Sequence, residues 1–127
     1  MQEKSLYEYA VIRVLPRVER EEFINVGVII YCQSLNYLSA ECSIDERRLA
    51  AFASGQDLSE VREHLLSVCR ICSGSEDSGP IGRMSLGERF RWLTAPRSTV
   101  VQTSAVHTGL TRDPHKTLKR LMKQLVG

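Results

Sequence analysis

Two apolar runs near the start of the chain leave it few ways to fold: "YEYAVIRVL" at 7–15 and "VGVIIYC" at 26–32. Both are short and rich in Val, Ile and Tyr, so both read as strands rather than helices. The first would place Tyr7, Tyr9, Val11, Arg13 and Leu15 on one face and Glu8, Ala10, Ile12 and Val14 on the other. Both faces are mostly apolar, as in a strand at the centre of a sheet. Pro16 stops it, and the charged "RVEREEF" turns the chain back. After the second strand, "QSLN" makes another turn into Tyr37–Ile44, with Leu38, Ala40, Cys42 and Ile44 facing inward. The result is a three-stranded antiparallel meander. Gly27 in a strand interior costs stability, so it marks a bulge or a close backbone approach.

The rest of the chain reads mainly as helix. Asp45 can cap a short helix ending at Gly55. Asp57 and Glu60 form a D-x-x-E capping box for a longer one, with Val61, Leu65, Val68 and Cys72 at helical spacing and Gly74 as its stop. "SGSEDSGP" reads as a flexible loop. Ser85 and Glu88 make a second capping box for a helix that ends before Pro96. Ser98–Val106 is a fourth strand. Asp113, followed by Pro114, opens a last helix whose Leu118, Leu121, Met122 and Leu125 line one side. The fold expected is α+β: a mainly antiparallel four-stranded sheet, three N-terminal strands plus one late strand, with helices packed on it. At 127 residues and 43% hydrophobic the chain suits a single domain, 1–127. The apolar run at 26–32 is far short of the roughly 20 residues a membrane helix needs. "MQEKSLYEY" has no apolar signal core, so a cytoplasmic protein with reduced cysteines is expected.

The polar residues of the hairpin need partners. Arg13 interrupts an apolar face, and a guanidinium withdrawn from water requires carboxylates or carbonyls. Glu19, Glu21 and Glu22 follow within reach, and Asn25 can satisfy loose amides of the connector. Arg13, Glu22, Asn25 and Gly27 thus form a candidate structural or recognition cluster. Charge is uneven. From Arg112 onward five Lys or Arg face one acid, leaving the first 111 residues with a net charge of −2. Lys116, Lys119, Arg120 and Lys123 of the last helix therefore make a candidate surface for an anionic partner.

No catalytic signature is present. "CRIC" (Cys69–Cys72) lies toward the C-terminal end of its helix, whereas a redox C-x-x-C uses the N-terminal end, where the dipole lowers the thiol pKa. A zinc site would have to recruit Cys32 and Cys42 from strands, so core cysteines are the simpler reading. His64, His107 and His115 are scattered. Ser85 has no nucleophile elbow, and no phosphate-cradling loop appears. Glu21 and Glu22 would point to opposite sides of an extended chain. In "RFRW" (Arg89–Trp92), helical spacing sends Phe90 and Leu93 to the core. Neither a metal nor a cofactor is expected.

The opening segment, "YEYAVIRVLPRVEREEFINVGVII", resembles that of a bacterial domain-of-unknown-function family, DUF3037, matched here by Arg13, Pro16, Glu22, Asn25, Gly27 and Val28. The closing region is similar too, including Arg97, Asp113 and Pro114, so Arg97 joins the candidate cluster. The resemblance implies a fold without an assigned activity. It also implies a partner, a HipA-like kinase-domain protein, in a toxin–antitoxin or stress context. Three functions follow as expectations: a small protein-interaction module, a nucleic-acid binder using the basic last helix, or an enzyme without a recognisable motif.

Overall fold

The computed structural model describes residues 3–15, 22–48, 58–97 and 99–127. Three strands, β1 (Ser5–Val14), β2 (Ile24–Cys32) and β3 (Tyr37–Cys42), form the expected antiparallel meander. The sheet continues beyond β1 with two short strands, β4 (Val101–Thr103) and β5 (His107–Thr111), both antiparallel to it. The sheet is thus five-stranded and open, in the order β3-β2-β1, with β4 and β5 end to end along the far edge of β1.

The single late strand expected at Ser98–Val106 is therefore two, reaching Thr111, and Ser98 lies outside the described residues. Ser104 sits at the break. Its backbone N–H donates to the Val11 carbonyl at 2.8 Å, while its hydroxyl accepts from the Val11 N–H at 2.9 Å. A side chain thus takes a position that a ladder carbonyl would hold, which lets the backbone leave the ladder and rejoin it.

The longer helices among the described residues are α1 (Leu58–Ser73), α2 (Leu86–Thr94) and α3 (Pro114–Leu125). Val61, Leu65, Val68 and Cys72 are buried on α1 as their spacing requires, joined by Ile71. Gly74, at φ +67°, ends the helix by donating to the Arg70 carbonyl at 2.9 Å. Ser85 accepts from the Glu88 N–H and donates its own proton to the Glu88 carboxylate. Asp113 accepts from the Lys116 N–H, with Pro114 in the first turn. Asp45 likewise accepts from the Arg48 N–H. The remainder of that short helix, its Gly55 stop and the Asp57 cap lie outside the described residues. "SGSEDSGP" is ordered as a short 3-10 turn over Glu76–Ser78, with a second over Ile81–Arg83.

Helices cover both faces of the sheet. Ile12, Val14, Ile24, Val26 and Ile29 pack against α1 and α2 through Val61, Leu65, Phe90 and Leu93. On the other face Tyr7, Val28, Ile30 and Cys32 meet Leu118 and Leu121 of α3, with Met122 and Leu125 alongside. Tyr37 packs in this second core and Glu41 pairs with Lys119, so the outward side of β3 lies partly under α3.

One irregularity makes the two cores compatible. Ile12 pairs with Gly27, but Arg13 pairs with Asn25, so Val26 is an extra residue in β2. This bulge inverts the alternation. Ile24 and Val26 join the first core, whereas regular pleating would put them with Val28 and Ile30 in the second. Gly27 is required there by space. A Cβ at that position would lie 2.5 Å from the Glu41 carbonyl oxygen and 3.0 Å from Cys42 Sγ. Among the described residues no helix is long and apolar enough to cross a membrane.

Candidate functional site

The residues singled out around the first hairpin are brought together only in part. Arg13 and Asn25 are cross-strand partners beside the bulge, with Gly27 next to them. Arg13 is half-buried and lays its guanidinium over the Phe23 ring, 4.1 Å from the centroid. That contact satisfies the charge through the ring's negative face. Its Nε is buried with no hydrogen-bond partner among the described residues. Glu22 is exposed just ahead of β2, while Glu19 and Glu21 lie outside the described residues. Asn25 was expected to serve the connector, whose residues 16–21 lie outside the described ones. The bulge turns it toward α3, where Nδ2 donates to the Leu125 carbonyl at 3.0 Å. It thereby satisfies one of the carbonyls a helix end leaves unpaired.

Arg97 stands apart from these residues. It reaches back over the end of α2, donating to the Leu93 carbonyl at 3.2 Å and to the Trp92 carbonyl, and stacks 4.3 Å above the Trp92 ring. A cation at the C-terminal end of a helix also complements the helix dipole.

The four cations of α3 are all exposed. Lys119 is ion-paired with Glu41, and Arg120 lies 3.5 Å from the Tyr7 hydroxyl. Half of the candidate anionic-partner surface therefore leans onto the protein's own sheet. Lys116 and Lys123 complete it.

A different place has the shape of a binding site. The capping box at Ser85 and Glu88 starts α2 across the end of β2, where Phe90 stacks on Tyr31 with centroids 5.4 Å apart. Gly87 allows this closeness, since a Cβ there would lie 3.0 Å from the Tyr31 hydroxyl. An open groove of about 790 Å³ results, with Tyr31 and Gln33 on one side and Met84, Arg91 and Trp92 on the other. Trp92 is 42% exposed, high for so large an apolar side chain. Arg91 is held by two 2.9 Å hydrogen bonds to the two oxygens of Glu8. Ser85, the groove's hydroxyl, is bonded to Glu88 as a helix cap, with no histidine in the lining. The groove offers aromatic surface, a thioether and a fixed cation, which suits binding more than bond-breaking.

Elsewhere, Cys42, Cys69 and Cys72 lie close enough to affect one another's ionisation. A hydrogen bond from Cys42 lowers the Cys69 pKa to about 7, and the same bond raises that of Cys42 far above its ordinary range. Burial, followed by the neighbouring Cys69 charge, pushes Cys72 up to about 12. Among the described residues no group of three His, Cys, Asp or Glu is placed to hold a metal ion. His64 on α1 has its pKa lowered, first by burial and then by the charge of Arg97.

The groove was hard to find from sequence. Helical spacing that sends Phe90 and Leu93 inward leaves Arg91 and Trp92 outside, and that signal is visible in "RFRW". Nothing local says that Tyr31 would form the opposite wall.

The family described as "Protein of unknown function (DUF3037)" matches residues 9–126. No curated protein and no solved structure matches the chain.

Proposed function

We propose, from the premise that the chain belongs to the DUF3037 family of proteins of unknown function, that it is a protein-interaction module that seats a partner protein in the groove between β2 and α2. The observation that supports this is the exposed Trp92 beside Tyr31, Met84 and the anchored Arg91. Trp, Tyr and Arg are the side chains that most often dominate binding at protein interfaces, and Met is also enriched there. Here they are pre-positioned, Arg91 by Glu8 and Trp92 by Arg97, so little side-chain freedom is lost on docking. The partner class we infer is a HipA-like kinase-domain protein, in line with the resemblance of the opening and closing segments.

A nucleic-acid role for α3 is the second reading. Counting against it, Lys119 and Arg120 turn toward Glu41 and Tyr7, which thins the row of phosphate contacts such binding depends on.

Isothermal titration of the purified chain against a HipA-like kinase-domain protein from the same genome tests both. Binding is expected, and Trp92→Ala should weaken it at least tenfold, about 1.4 kcal/mol or more. Reversal of Lys116, Lys119 and Lys123 to Glu should change it little. The same samples titrated with random-sequence duplex DNA should show no salt-dependent binding. A Trp92→Ala variant that binds as the parent does would overturn the groove. DNA binding abolished by the charge reversals would instead move the function to α3.

A further inference from the structure

Cys42 ends β3 and Cys69 lies in the body of α1, so the two thiols come from separate elements of the first core. Both line a second cavity of about 390 Å³, whose other walls are Ile44, Leu65, Leu66 and Arg62. The two thiols thus share one cavity wall and lie near enough to shift each other's ionisation. Leu66 at the edge is exposed, while Cys42 and Cys69 are each only partly covered. By contrast Cys32 and Cys72 are buried. The lining is mostly apolar, with the guanidinium of Arg62 turned to Glu46. Two thiols that face one cavity from packed elements can close to a disulfide where side-chain rotation meets the geometry of the bond.

We propose that Cys42 and Cys69 form an oxidation site that reacts with hydroperoxides, Cys69 as the attacking thiol and Cys42 as the resolving one, closing to a disulfide that ties β3 to α1. The site does not depend on the groove at Trp92.

The chemistry balances with these two residues and the peroxide. The Cys69 thiolate attacks the terminal peroxide oxygen, so an S–O bond forms and the O–O bond breaks. The departing alkoxide takes the Cys42 thiol proton and leaves as the alcohol. The Cys42 thiolate then attacks the Cys69 sulfur, forming the S–S bond and expelling hydroxide, which leaves as water after taking a proton from solvent. Two thiols are oxidised and one peroxide bond is reduced. The hydrogen bond from Cys42 favours the ionised form of Cys69 at neutral pH, as the first step needs. Cys42 keeps its proton until the alkoxide requires it. The one partner that "CRIC" offers Cys69, Cys72 on its own helix, is thereby passed over for Cys42 across the core.

The test begins with the fully reduced chain, freed of reductant, treated with hydrogen peroxide and mapped by peptide mass spectrometry. A Cys42–Cys69 cross-link is expected. Cys42→Ser should stop at a Cys69 sulfenic acid that dimedone traps, and Cys69→Ser should leave Cys42 unoxidised. Because these substitutions fall close to the core, the unmutated chain provides an independent readout by brief iodoacetamide labelling across a pH series. Cys69 should label with a midpoint of about 7 while the other three cysteines remain protected. A cross-link through Cys72, no cross-link at all, or a Cys69 midpoint at the ordinary 9.0 would each overturn the site.

Discussion

The two faces of the sheet are built on opposite plans. The first is covered by α1 and α2, whose apolar residues join strands β1, β2 and β4 in one large core. Its helices are linked to each other by Arg89, which donates to the Ile71 and Cys72 carbonyls at 2.8 and 3.1 Å. Among the described residues the second face carries one helix, α3, with Leu118 and Leu121 as its buried apolar anchors. It compensates with individual polar ties: Asn25 to Leu125, Lys119 to Glu41 and the buried hydroxyl pair Thr111–Thr117 at 2.6 Å. The exposed aromatic groove and the separate cavity of the two thiols both belong to the first face. A core that is redundant in apolar contacts can leave a Trp and a reactive Cys at its margin. A single helix held by two leucines cannot.

Truncation should separate the two plans most clearly. Phe90→Ala removes a side chain with no exposed surface, stacked on Tyr31, and should cost about 4 kcal/mol. Leu121→Ala should cost about 3 kcal/mol, and the pattern of loss should differ. Native-state hydrogen exchange of the Leu121 variant should show α3 amides exchanging faster while α1 and α2 stay protected. The Phe90 variant should lower protection across the whole sheet. If Leu121→Ala deprotects α1 as much as α3, the faces are one cooperative unit and the contrast fails.

A smaller effect sharpens the same comparison. Asn25→Ala deletes the bond to Leu125 and should cost about 1 kcal/mol, measured by urea denaturation. The loss is limited because the same change removes Oδ1, which is buried without a hydrogen-bond partner among the described residues. A cost above about 3 kcal/mol would mean that the tie, rather than Leu118 and Leu121, holds α3 in place.

The smallest effect lies on the first face. Burial lowers the His64 pKa below its usual 6.5, so the folded chain resists a proton that the unfolded chain accepts. Stability from this group is therefore complete above pH 6.5 and declines as pH falls below it. Thermal melts of the parent and of His64→Gln across that range should converge in slope only if His64 makes no contribution.

The fold was legible wherever a local rule sufficed. Short runs rich in Val, Ile and Tyr, "YEYAVIRVL" and "VGVIIYC", marked the central strands, and Ser85 with Glu88 and Asp113 with Pro114 marked two helix starts. The late strand was misread because Gly109 is a poor strand former, and the segment around it pairs because β1 is long enough to need a second partner. Gly27 signalled a bulge or a close approach, and it is both. Asn25 has a partner that no local rule names. Its direction depends on the inverted alternation at Val26, and its partner at Leu125 is made by the last helix.

By itself, the sequence determined the α+β class, the antiparallel meander, the caps and the apolar stripe of α3, because each rests on residues a few positions apart. Only the tertiary structure decided which face each helix covers, that Tyr31 and Trp92 share a groove, and that Cys69 and Cys42 line one cavity. Those outcomes depend on contacts between distant segments, and a one-residue bulge is enough to send a side chain to the opposite face.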